Sequence, residues 1–435
     1  MRTYEELVEF ILGIPKFTTK NRPEHTREFL KRLGSPQECF KVIHVAGSNG
    51  KGSVCAFIDS VLRRTGKKTG LFTSPHLVHI EERFALEGKP CSRGLFVKAA
   101  EQAAQAAGTM VGDGLPHPTF FEFIFAVGML IFAEAQAEYV VVETGLGGRL
   151  DATNVITKPM LTVITSISLE HTEILGDTIA KIAAEKAGIL KKHVPVVYDA
   201  RLQSVREVVE HSAARLECPV YPVFPENIKI LLNTGKKIAF SYDSGYDVTE
   251  LEIPFGAPYQ VENAALALLA LNCIAETEGI TGEMIRQGFS KVSWRGRMQQ
   301  VLPEIYFDGA HNLAGIEKFL EAAAQISRQP GILLFSMVKD KDYWNAAKLL
   351  LAQGEWEEII LTTVPGMRGI TIGRLTEVFE DKAREGHSTV KITPMGEMEA
   401  AYAYALSVKK PGQILFCAGS LYLIGELERI TGGMS

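Results

Sequence analysis

The sequence of 435 residues has no surplus of charge of one sign, since 46 basic and 51 acidic side chains give a net charge of −5. Without a basic surplus, no global field attracts nucleic acid or anionic lipid, so any anion must be held by a local group of side chains. The 39 glycines and 19 prolines are close to average usage, which excludes collagen and low-complexity disorder. A chain of this length predicts roughly two to three domains.

Paired cysteines and long apolar runs are also lacking. The six cysteines are far apart, so the sequence has neither zinc-finger spacing nor a CxxC redox pair. The apolar stretch at residues 120–133 contains a glutamate and is too short to span a bilayer. The N-terminus carries acidic residues where a signal peptide is basic. We therefore predict a cytoplasmic protein with reduced thiols and with neither a membrane nor a nucleic-acid partner.

Short apolar runs alternate with longer amphipathic runs along most of the chain. Strands are predicted at residues 41–46, 68–72, 139–142, 160–164 and 194–198, with helices between them, for example at 53–64, 120–134 and 178–190. This alternation predicts an α/β fold with a mostly parallel sheet covered by helices on both faces. Residues 218–258 predict a small β-rich appendage. A second series of strands predicts a Rossmann-like α/β domain, at residues 305–307, 331–335, 358–362, 390–392 and 413–417.

The strongest chemical signal is the segment VIHVAGSNGKGS at residues 42–53, where an apolar strand runs into a glycine-rich turn and a helix. Glycines let backbone N–H groups converge on phosphate oxygens, and the helix N-terminus adds its positive end. Lys51 can reach the β- and γ-phosphates of a nucleotide, and the Ser53 hydroxyl can approach Mg²⁺. The strict GxxxxGK[ST] spacing is not met, and a tight turn without a ligand is the alternative.

Chemically active side chains follow several other predicted strands. Glu143 ends a strand, where P-loop proteins place the acid that binds Mg²⁺, and His171 is a candidate metal ligand after the next strand. Lys186 lies among small and apolar residues. The alternatives are a strand-ending acid without a ligand, a hydrogen-bonded loop histidine and a solvated helix lysine. In the second half, Asp308 and His311 lie in DGAHN at a strand end, for which an Asx-turn with a helix cap is the alternative.

Taken together and in order, nine short motifs resemble the folylpolyglutamate synthase/dihydrofolate synthase family, a member of the Mur-ligase-like ATP-dependent amide ligases. They are GSNGKGS (47–53), TSPHL (73–77), ETGLGGRLDATN (143–154), HTEILG (171–176), EKAGI (185–189), YQVENA (259–264), GR (296–297), DGAHN (308–312) and GSLYLIGE (419–426). The resemblance implies an N-terminal P-loop ATPase domain with the β-rich appendage, at residues 1–294, that binds ATP and folate. It also implies a C-terminal Rossmann-like glutamate ligase domain at residues 295–435.

The resemblance further implies the residues of an active site. ATP would be bound by Asn49, Gly50, Lys51, Gly52, Ser53, Asn263, Arg297 and Asp308. Two Mg²⁺ ions would be held by Ser53, Ser74, Glu143 and His171. The catalytic side chains would be Lys51, His311 and Lys186, the last of them carbamylated. The pterin side of the folate would contact Thr119, Phe120, Phe121, Glu122, Leu150, Asp151 and Ala152.

The implied reaction is the addition of L-glutamate to the carboxylate of tetrahydrofolate, through an acyl phosphate, with release of ADP and phosphate. We also predict that dihydropteroate is a substrate, because residues 145–154 look like those of the bifunctional members. Asp151 would accept two hydrogen bonds from the pterin, and Phe120 and Phe121 would stack on its ring. The alternative is that Asp151 caps the following turn, the phenylalanines are helix core and the enzyme is a monofunctional folylpolyglutamate synthase.

Two other functions fit parts of the pattern. A cell-wall Mur ligase would use the same chemistry, but only 46 residues precede Gly47, too few for its UDP-sugar-binding domain. A nucleotide switch of the GTPase type would be expected to show an Asn-Lys-x-Asp motif, which the sequence lacks. We expect a monomer that binds small molecules. The sequence departs from the family's pattern at Glu170, where an aspartate is common, at Arg295, where a proline is usual, and at residues 16–21.

Overall fold

The structure is a computed structural model that describes residues 2–15, 23–245, 248–364, 366 and 369–432. The atypical segment at residues 16–21 lies outside the described residues. The chain divides into two compact units. The first unit comprises Met1–Lys229, Phe240–Ile253 and Glu262–Val292, and the second comprises Ile230–Ala239, Pro254–Val261 and Ser293–Ser435. The assignment of separate functions to residues 1–294 and 295–435 stays a prediction.

The first unit contains a sheet of eight strands, in the order β4-β3-β2-β5-β1-β6-β7-β8. These strands are β1 (Lys41–Ala46), β2 (Thr69–Phe72), β3 (Phe84–Leu86), β4 (Lys89–Pro90), β5 (Tyr139–Glu143), β6 (Leu161–Ile164), β7 (Val196–Asp199) and β8 (Val220–Val223). In this order, neighbouring strands from β2 through β5, β1, β6 and β7 to β8 pair in parallel. Strands β3 and β4 extend the sheet by antiparallel pairing. The predicted parallel sheet is therefore confirmed.

Ten α-helices accompany these strands among the described residues up to residue 290. They are α1 (Tyr4–Gly13), α2 (Pro23–Arg32), α3 (Lys51–Leu62), α4 (Arg93–Gly112), α5 (Phe120–Glu134), α6 (Thr172–Leu175), α7 (Ile179–Ala187), α8 (Gln203–Arg215), α9 (Tyr259–Glu278) and α10 (Gly282–Ser290). Between α8 and α9, a separate sheet has the strand order β11-β10-β9, which is the predicted β-rich segment. Its strands are β9 (Ile228–Asn233), β10 (Ile238–Asp243) and β11 (Val248–Ile253).

The second unit contains a sheet of six strands, in the order β12-β13-β17-β14-β15-β16. The strands are β12 (Gln299–Leu302), β13 (Ile305–Asp308), β14 (Gly331–Phe335), β15 (Trp356–Leu361), β16 (Lys391–Pro394) and β17 (Leu415–Ala418). The five predicted strands pair in parallel, and β12 is an additional antiparallel edge strand. The helices are α11 (Leu313–Ile326), α12 (Tyr343–Gln353), α13 (Ile372–Glu385), α14 (Met398–Val408) and α15 (Leu421–Ile430).

Strand β1 lies at the centre of the first sheet and is apolar except at Lys41 and His44. Only Lys41 is exposed, because helices cover both faces of a parallel sheet. Helices α1, α2, α4 and α5 pack around Val42, and α7 and α8 pack around Ala46 on the same face of the sheet. Helix α3 contacts β1, β2 and β5. Helix α5 is apolar on nearly every side and is correspondingly buried. None of the helices in the described ranges is both long and apolar enough to cross a bilayer.

The strand order determines where a ligand can bind in the first unit. The chain leaves β1 toward β2 on one side and later returns to β6 on the other side. Val45 is level with Glu143 of β5, and Ala46 is level with Ile164 of β6. The carboxyl ends of these three parallel strands therefore meet at one sheet edge, which is the usual ligand position in open α/β sheets.

Candidate active site

The loop between β1 and α3, residues 47–50, is shaped by two glycines with positive φ. Gly47 has φ 155° and Gly50 has φ 86°. A Cβ atom on Gly47 would lie 1.8 Å from the Thr165 hydroxyl oxygen, and one on Gly50 would lie 2.1 Å from Oδ1 of Asn263. Neither contact leaves room for a side chain. The loop therefore packs directly against the end of β6 and against the predicted nucleotide residue Asn263.

Hydrogen bonds tie this loop to residues 165–168, which follow β6. The Ser48 amide donates to the Ser166 carbonyl at 2.8 Å, and the Thr165 hydroxyl donates to the Asn49 carbonyl at 2.6 Å. The Asn49 side chain donates to the Ser168 hydroxyl at 3.1 Å. Helix α3 then begins at Lys51, and its N-cap Gly50 has no side chain to occupy the first-turn amides. These amides form a positive, preorganised end suited to phosphate oxygens.

Two lysines converge on this loop. Lys51 Nζ donates to the carbonyls of Gly47 and Ser48 at 2.8 and 3.1 Å. Lys186 Nζ donates to the same Gly47 carbonyl at 2.8 Å and forms an ion pair with Glu170 at 2.8 Å. Lys186 is only 1% exposed, so the alternative interpretation of this residue as a solvated lysine on a helix is wrong. The predicted catalytic lysines thus lie together beside the glycine-rich loop.

Burial and charge act in opposite directions on the Lys186–Glu170 pair. Burial lowers the pKa of Lys186 to about 8, although Glu170 favours its charged form. Burial alone would raise the pKa of Glu170, but the Lys186 and Lys51 ammonium groups outweigh it and lower that pKa to about 2. Glu170 is therefore an anion beside two cations. Sequence reasoning noted Glu170 only as a departure from a common aspartate and missed this pairing.

The predicted Mg²⁺ ligands lie at the ends of neighbouring elements. Glu143 ends β5, is buried, and accepts a hydrogen bond from the Ser74 amide at 3.0 Å. The Ser53 hydroxyl in the first turn of α3 is buried and has no hydrogen-bond partner among the described residues. His171 is exposed and lies at the N-cap of α6 with φ 46°. Carboxylate and hydroxyl oxygens are ligands that Mg²⁺ accepts, so this donor set fits the ion.

No group of three or more His, Cys, Asp and Glu side chains is placed to hold a metal in the described part of the chain. An all-protein metal cage is therefore not what these residues form. Mg²⁺ is typically bound by one or two carboxylates together with phosphate oxygens and water. The buried carboxylate of Glu143 and the Ser53 hydroxyl, which is unpaired among the described residues, match that pattern.

Thr119 and Glu122, predicted to contact a pterin, form the capping box of α5. The Glu122 carboxylate accepts the amide and hydroxyl of Thr119, both at 2.8 Å, the Thr26 hydroxyl at 2.8 Å and His25 Nδ1 at 3.0 Å. These four contacts use the acceptor capacity of the carboxylate and join α2 to α5. Phe120 is buried and Phe121 is half-buried. A direct pterin contact of these residues stays a prediction.

Asp151 is buried and organises its own loop. Oδ2 accepts the amides of Gly145 at 3.0 Å and Leu146 at 2.8 Å. Oδ1 accepts the amide and the hydroxyl of Thr153 at 3.0 and 2.6 Å. Asp151 therefore caps the short helix Ala152–Val155, as its alternative interpretation stated. Ala152 is buried, whereas Leu150 is 49% exposed and is the most accessible of the predicted pterin residues.

In the second unit, Asp308 ends β13 and holds the loops around it. Its carboxylate accepts the Tyr259 hydroxyl at 2.7 Å and the amides of Met298 and Ala310 at 2.8 Å. Burial raises the pKa of Asp308, and the charge of the neighbouring Arg297 opposes this. Tyr259 was not predicted as a partner of Asp308, although it begins the YQVENA motif.

His311 and Asn312 follow this strand. His311 Nδ1 lies 2.8 Å from the Gly309 carbonyl. Asn312 is the N-cap of α11 and accepts the Gly315 amide at 2.8 Å. The alternative interpretation of a helix cap is confirmed for Asn312. A catalytic role of His311 stays a prediction.

The His25–Glu122 pair generates a test of pH dependence. The two ring nitrogens of His25 face the Glu122 carboxylate at 3.0 Å and the Pro116 carbonyl at 2.9 Å. Both partners accept hydrogen bonds, so the ring is held as an imidazolium, and the hydrogen bond to Glu122 raises its pKa. Because the folded-state pKa is raised, this stabilisation is complete below the unfolded pKa of about 6.5 and is lost as the pH rises through the folded value.

We expect His25→Phe to reduce the free energy of unfolding by about 1–2 kcal/mol near pH 5.5 and by less near pH 9. Urea unfolding of wild type and variant at both pH values measures the difference. The exposed His211 of α8 provides the control His211→Phe, which should show no such trend. A loss of stability for His25→Phe that is equal at both pH values would contradict the charged assignment.

Comparison with known proteins places these observations in a family. Residues 296–421 match the family described as "Mur ligase, glutamate ligase domain". The chain is 36% identical over 357 residues to the dihydrofolate synthase/folylpolyglutamate synthase of Bacillus subtilis, covering 80% of this chain and 82% of that protein. It is 32% identical over 442 residues to the folylpolyglutamate synthase of Lacticaseibacillus casei, and the match covers 99% of this chain and 100% of that protein.

A solved structure described as an FPGS–AMPPCP–folate complex has the same fold. It superposes with a TM-score of 0.85 at 29% identity and covers 99% of this chain and 100% of that chain. The two relatives exceed 30% identity over most of both proteins. The chain therefore belongs to the dihydrofolate synthase/folylpolyglutamate synthase family of Mur-type ligases.

Proposed function

We propose that the protein is an ATP-dependent ligase that joins L-glutamate to the carboxylate of a reduced folate. The γ-phosphoryl group of ATP passes to a carboxylate oxygen, which gives an acyl phosphate and ADP. The α-amine of glutamate then attacks the acyl carbon, the amide forms, and phosphate and a proton leave. The observation that carries this proposal is the glycine-rich loop with Lys51 and Lys186 on its Gly47 carbonyl. The family membership of the chain supports the same reaction class.

The chain's own residues supply binding and charge neutralisation rather than a covalent nucleophile. The first-turn amides of α3 would bind phosphate oxygens, and the Lys51 ammonium would exchange its two loop carbonyls for the β- and γ-phosphates. Asn263, which lies against Gly50, would contact the nucleotide beside this loop. Arg297, Asp308 and His311 of the second unit stay predicted contacts. Catalysis then rests on positioning and electrostatic stabilisation.

Mg²⁺ would be held through the Ser53 hydroxyl and the Glu143 carboxylate, with Ser74 and His171 as further predicted ligands. The ion would neutralise charge on the phosphate oxygens. The fit rests on the buried Ser53 hydroxyl, which has no hydrogen-bond partner in the described part of the chain, and on Glu143 at the adjacent strand end. The binding of two ions is part of this proposal.

The substrates of this reaction are small molecules, namely ATP, L-glutamate, a reduced folate such as tetrahydrofolate and, we propose, dihydropteroate. A relative at 36% identity carries both the dihydrofolate synthase and the folylpolyglutamate synthase names, which supports two activities in one chain. A relative at 32% identity carries the second name alone, so a monofunctional enzyme is the alternative. The monomeric state, the cytoplasmic location and the lack of membrane and nucleic-acid partners stay predictions.

Lys51→Ala tests the phosphate-loop assignment. We expect ADP release in the presence of tetrahydrofolate and glutamate to fall by at least about 100-fold, because the cation that neutralises the transferred phosphoryl group is removed. The unfolding free energy should change by no more than about 0.5 kcal/mol, since the side chain lies at the first residue of α3 and not in the core. Lys98→Ala, an exposed lysine paired with Glu134, is the control. Near wild-type turnover by Lys51→Ala would refute the assignment.

Dihydropteroate tests the scope of the enzyme. We expect glutamate-dependent ADP release both with dihydropteroate alone and with tetrahydrofolate alone. The two substrates are compared in the same coupled assay, with omission of glutamate as the control. Release with tetrahydrofolate and none with dihydropteroate would identify a monofunctional folylpolyglutamate synthase. Release with neither would refute the proposed function.

Carbamylation of Lys186 is a further part of the proposal. The neutral amine bonds to the carbon of CO₂ and loses a proton, which gives an anionic carbamate. The pKa of about 8, caused mainly by burial, makes the neutral amine accessible near neutral pH. We expect Lys186→Ala to lose activity and to regain part of it with short carboxylates, whereas Lys181→Ala, on the exposed side of α7, keeps it.

A carbon NMR spectrum after incubation with isotope-labelled bicarbonate provides a readout that does not depend on turnover. We expect a carbamate resonance in the wild type and in Lys181→Ala, and none in Lys186→Ala. A spectrum of active wild-type enzyme without this resonance would show that Lys186 works as the ammonium that pairs with Glu170.

A further inference from the structure

A buried histidine that the proposed mechanism does not use lies in the strand that leads to the phosphate loop. His44 is in β1, three residues before Gly47, and is fully buried. Its Nε2 lies 2.8 Å from the Thr153 hydroxyl oxygen. That hydroxyl lies 2.6 Å from Asp151 Oδ1, and Asp151 Oδ2 accepts the amides of Gly145 and Leu146. A continuous hydrogen-bonded chain therefore runs from β1 into the loop of residues 145–154.

The direction of each hydrogen bond in this chain follows from its ends. The Asp151 carboxylate accepts three backbone amides, so it is held as an anion, although burial raises its pKa. The single hydroxyl proton of Thr153 must then point to Asp151. The remaining lone pairs of that hydroxyl face His44, so Nε2 of His44 carries the ring proton and donates it.

His44 is consequently a neutral ring with one defined tautomer. Its Nδ1 is buried without a hydrogen-bond partner in the described part of the chain. Burial lowers the pKa of His44 to about 3, and the charge of Lys191 acts in the same direction. An unpaired ring nitrogen in a core costs stability. A leucine or phenylalanine would avoid that cost, so the donor at Nε2 is the property that distinguishes histidine at this position.

The loop of residues 145–154, at the other end of this hydrogen-bonded chain, lies between two groups of the active site. It begins directly after Glu143 and Thr144, and the Arg149 amide donates to the Glu185 carbonyl of α7 at 2.7 Å, next to Lys186. It also carries the exposed Leu150. The position of this loop therefore determines what surface is presented to a substrate beside Glu143 and Lys186.

We propose that His44 is a positioning residue which, through Thr153 and Asp151, holds the loop of residues 145–154 in the conformation that binds the pteridine-bearing substrate. This inference rests on the proposed function for the identity of that substrate. Asp151 acts here through its hydrogen bonds to backbone amides and not through contact with the substrate. His44 thus affects the affinity for the folate and not the binding of ATP.

The test compares variants that break the hydrogen-bonded chain from His44 to Asp151 with variants that preserve it. His44→Phe keeps a planar ring and removes the donor, whereas His44→Gln keeps an N–H donor at a similar distance. Thr153→Val removes the hydroxyl and Thr153→Ser keeps it. Thr162→Val is the matched control, since Thr162 is a buried threonine of the adjacent β6, level with His44, and its hydroxyl donates to the Pro195 carbonyl.

We expect His44→Phe and Thr153→Val to raise KM for tetrahydrofolate about tenfold while KM for ATP stays within about twofold, because a small displacement of a positioning loop weakens the contacts it makes. His44→Gln, Thr153→Ser and Thr162→Val should stay within about threefold of the wild type. Hydrogen exchange of the Gly145 and Leu146 amides should become faster in the two disruptive variants only.

Equal increases of both KM values, or the same increase in Thr162→Val, would show that the effect is general destabilisation and would overturn the proposal. An unchanged KM for tetrahydrofolate in Thr153→Val would also overturn it, whether or not His44→Phe folds. Failure of the wild type to release ADP with folate and glutamate would refute the proposed function instead. Hydrogen exchange of the Gly145 and Leu146 amides would then test the hydrogen-bonded chain by itself, and unchanged exchange in Thr153→Val would overturn the proposal.

Discussion

The carbonyl oxygen of Gly47 accepts hydrogen bonds from two ammonium groups, Lys51 Nζ and Lys186 Nζ, each at 2.8 Å. The two nitrogens lie within about 6 Å of each other, because both contact the same oxygen, so their positive charges repel. Glu170 compensates one of them. The Lys51 ammonium lies beside the N-terminus of α3, and an anion of high charge density such as a nucleotide phosphate would bind favourably to this positive end.

The rest of the first unit serves to hold this arrangement. The sheet order brings the ends of β5, β1 and β6 together, so the glycine-rich loop, Glu143 and residues 165–171 share one edge. Burial of β1 on both faces leaves little freedom to the strand that carries the loop. The hydrogen-bonded chain that starts at His44 extends the same rigidity to residues 145–154. Phosphate binding and substrate binding thus depend on a common strand.

Much of this could be predicted from the sequence. The parallel sheets, the glycine-rich loop and the strand-ending Glu143 follow from apolar periodicity and local motifs, which depend on neighbouring residues. The edge strand β12 was not predicted, because QQVL is a short segment with a mixed pattern. The burial of Lys186 and the roles of Glu122 and Tyr259 depend on partners far along the chain. A sequence pattern shows a carboxylate but not which amides and hydroxyls fill its acceptor sites.

The most direct test of the account is a crystal structure of the protein with a non-hydrolysable ATP analogue such as AMPPCP. We expect the phosphates to lie on the amides of residues 50–53 and Lys51 Nζ to leave the carbonyls of Gly47 and Ser48 for a β- or γ-phosphate oxygen at about 3 Å. A structure in which the nucleotide is bound while Lys51 still donates to both carbonyls would contradict the account.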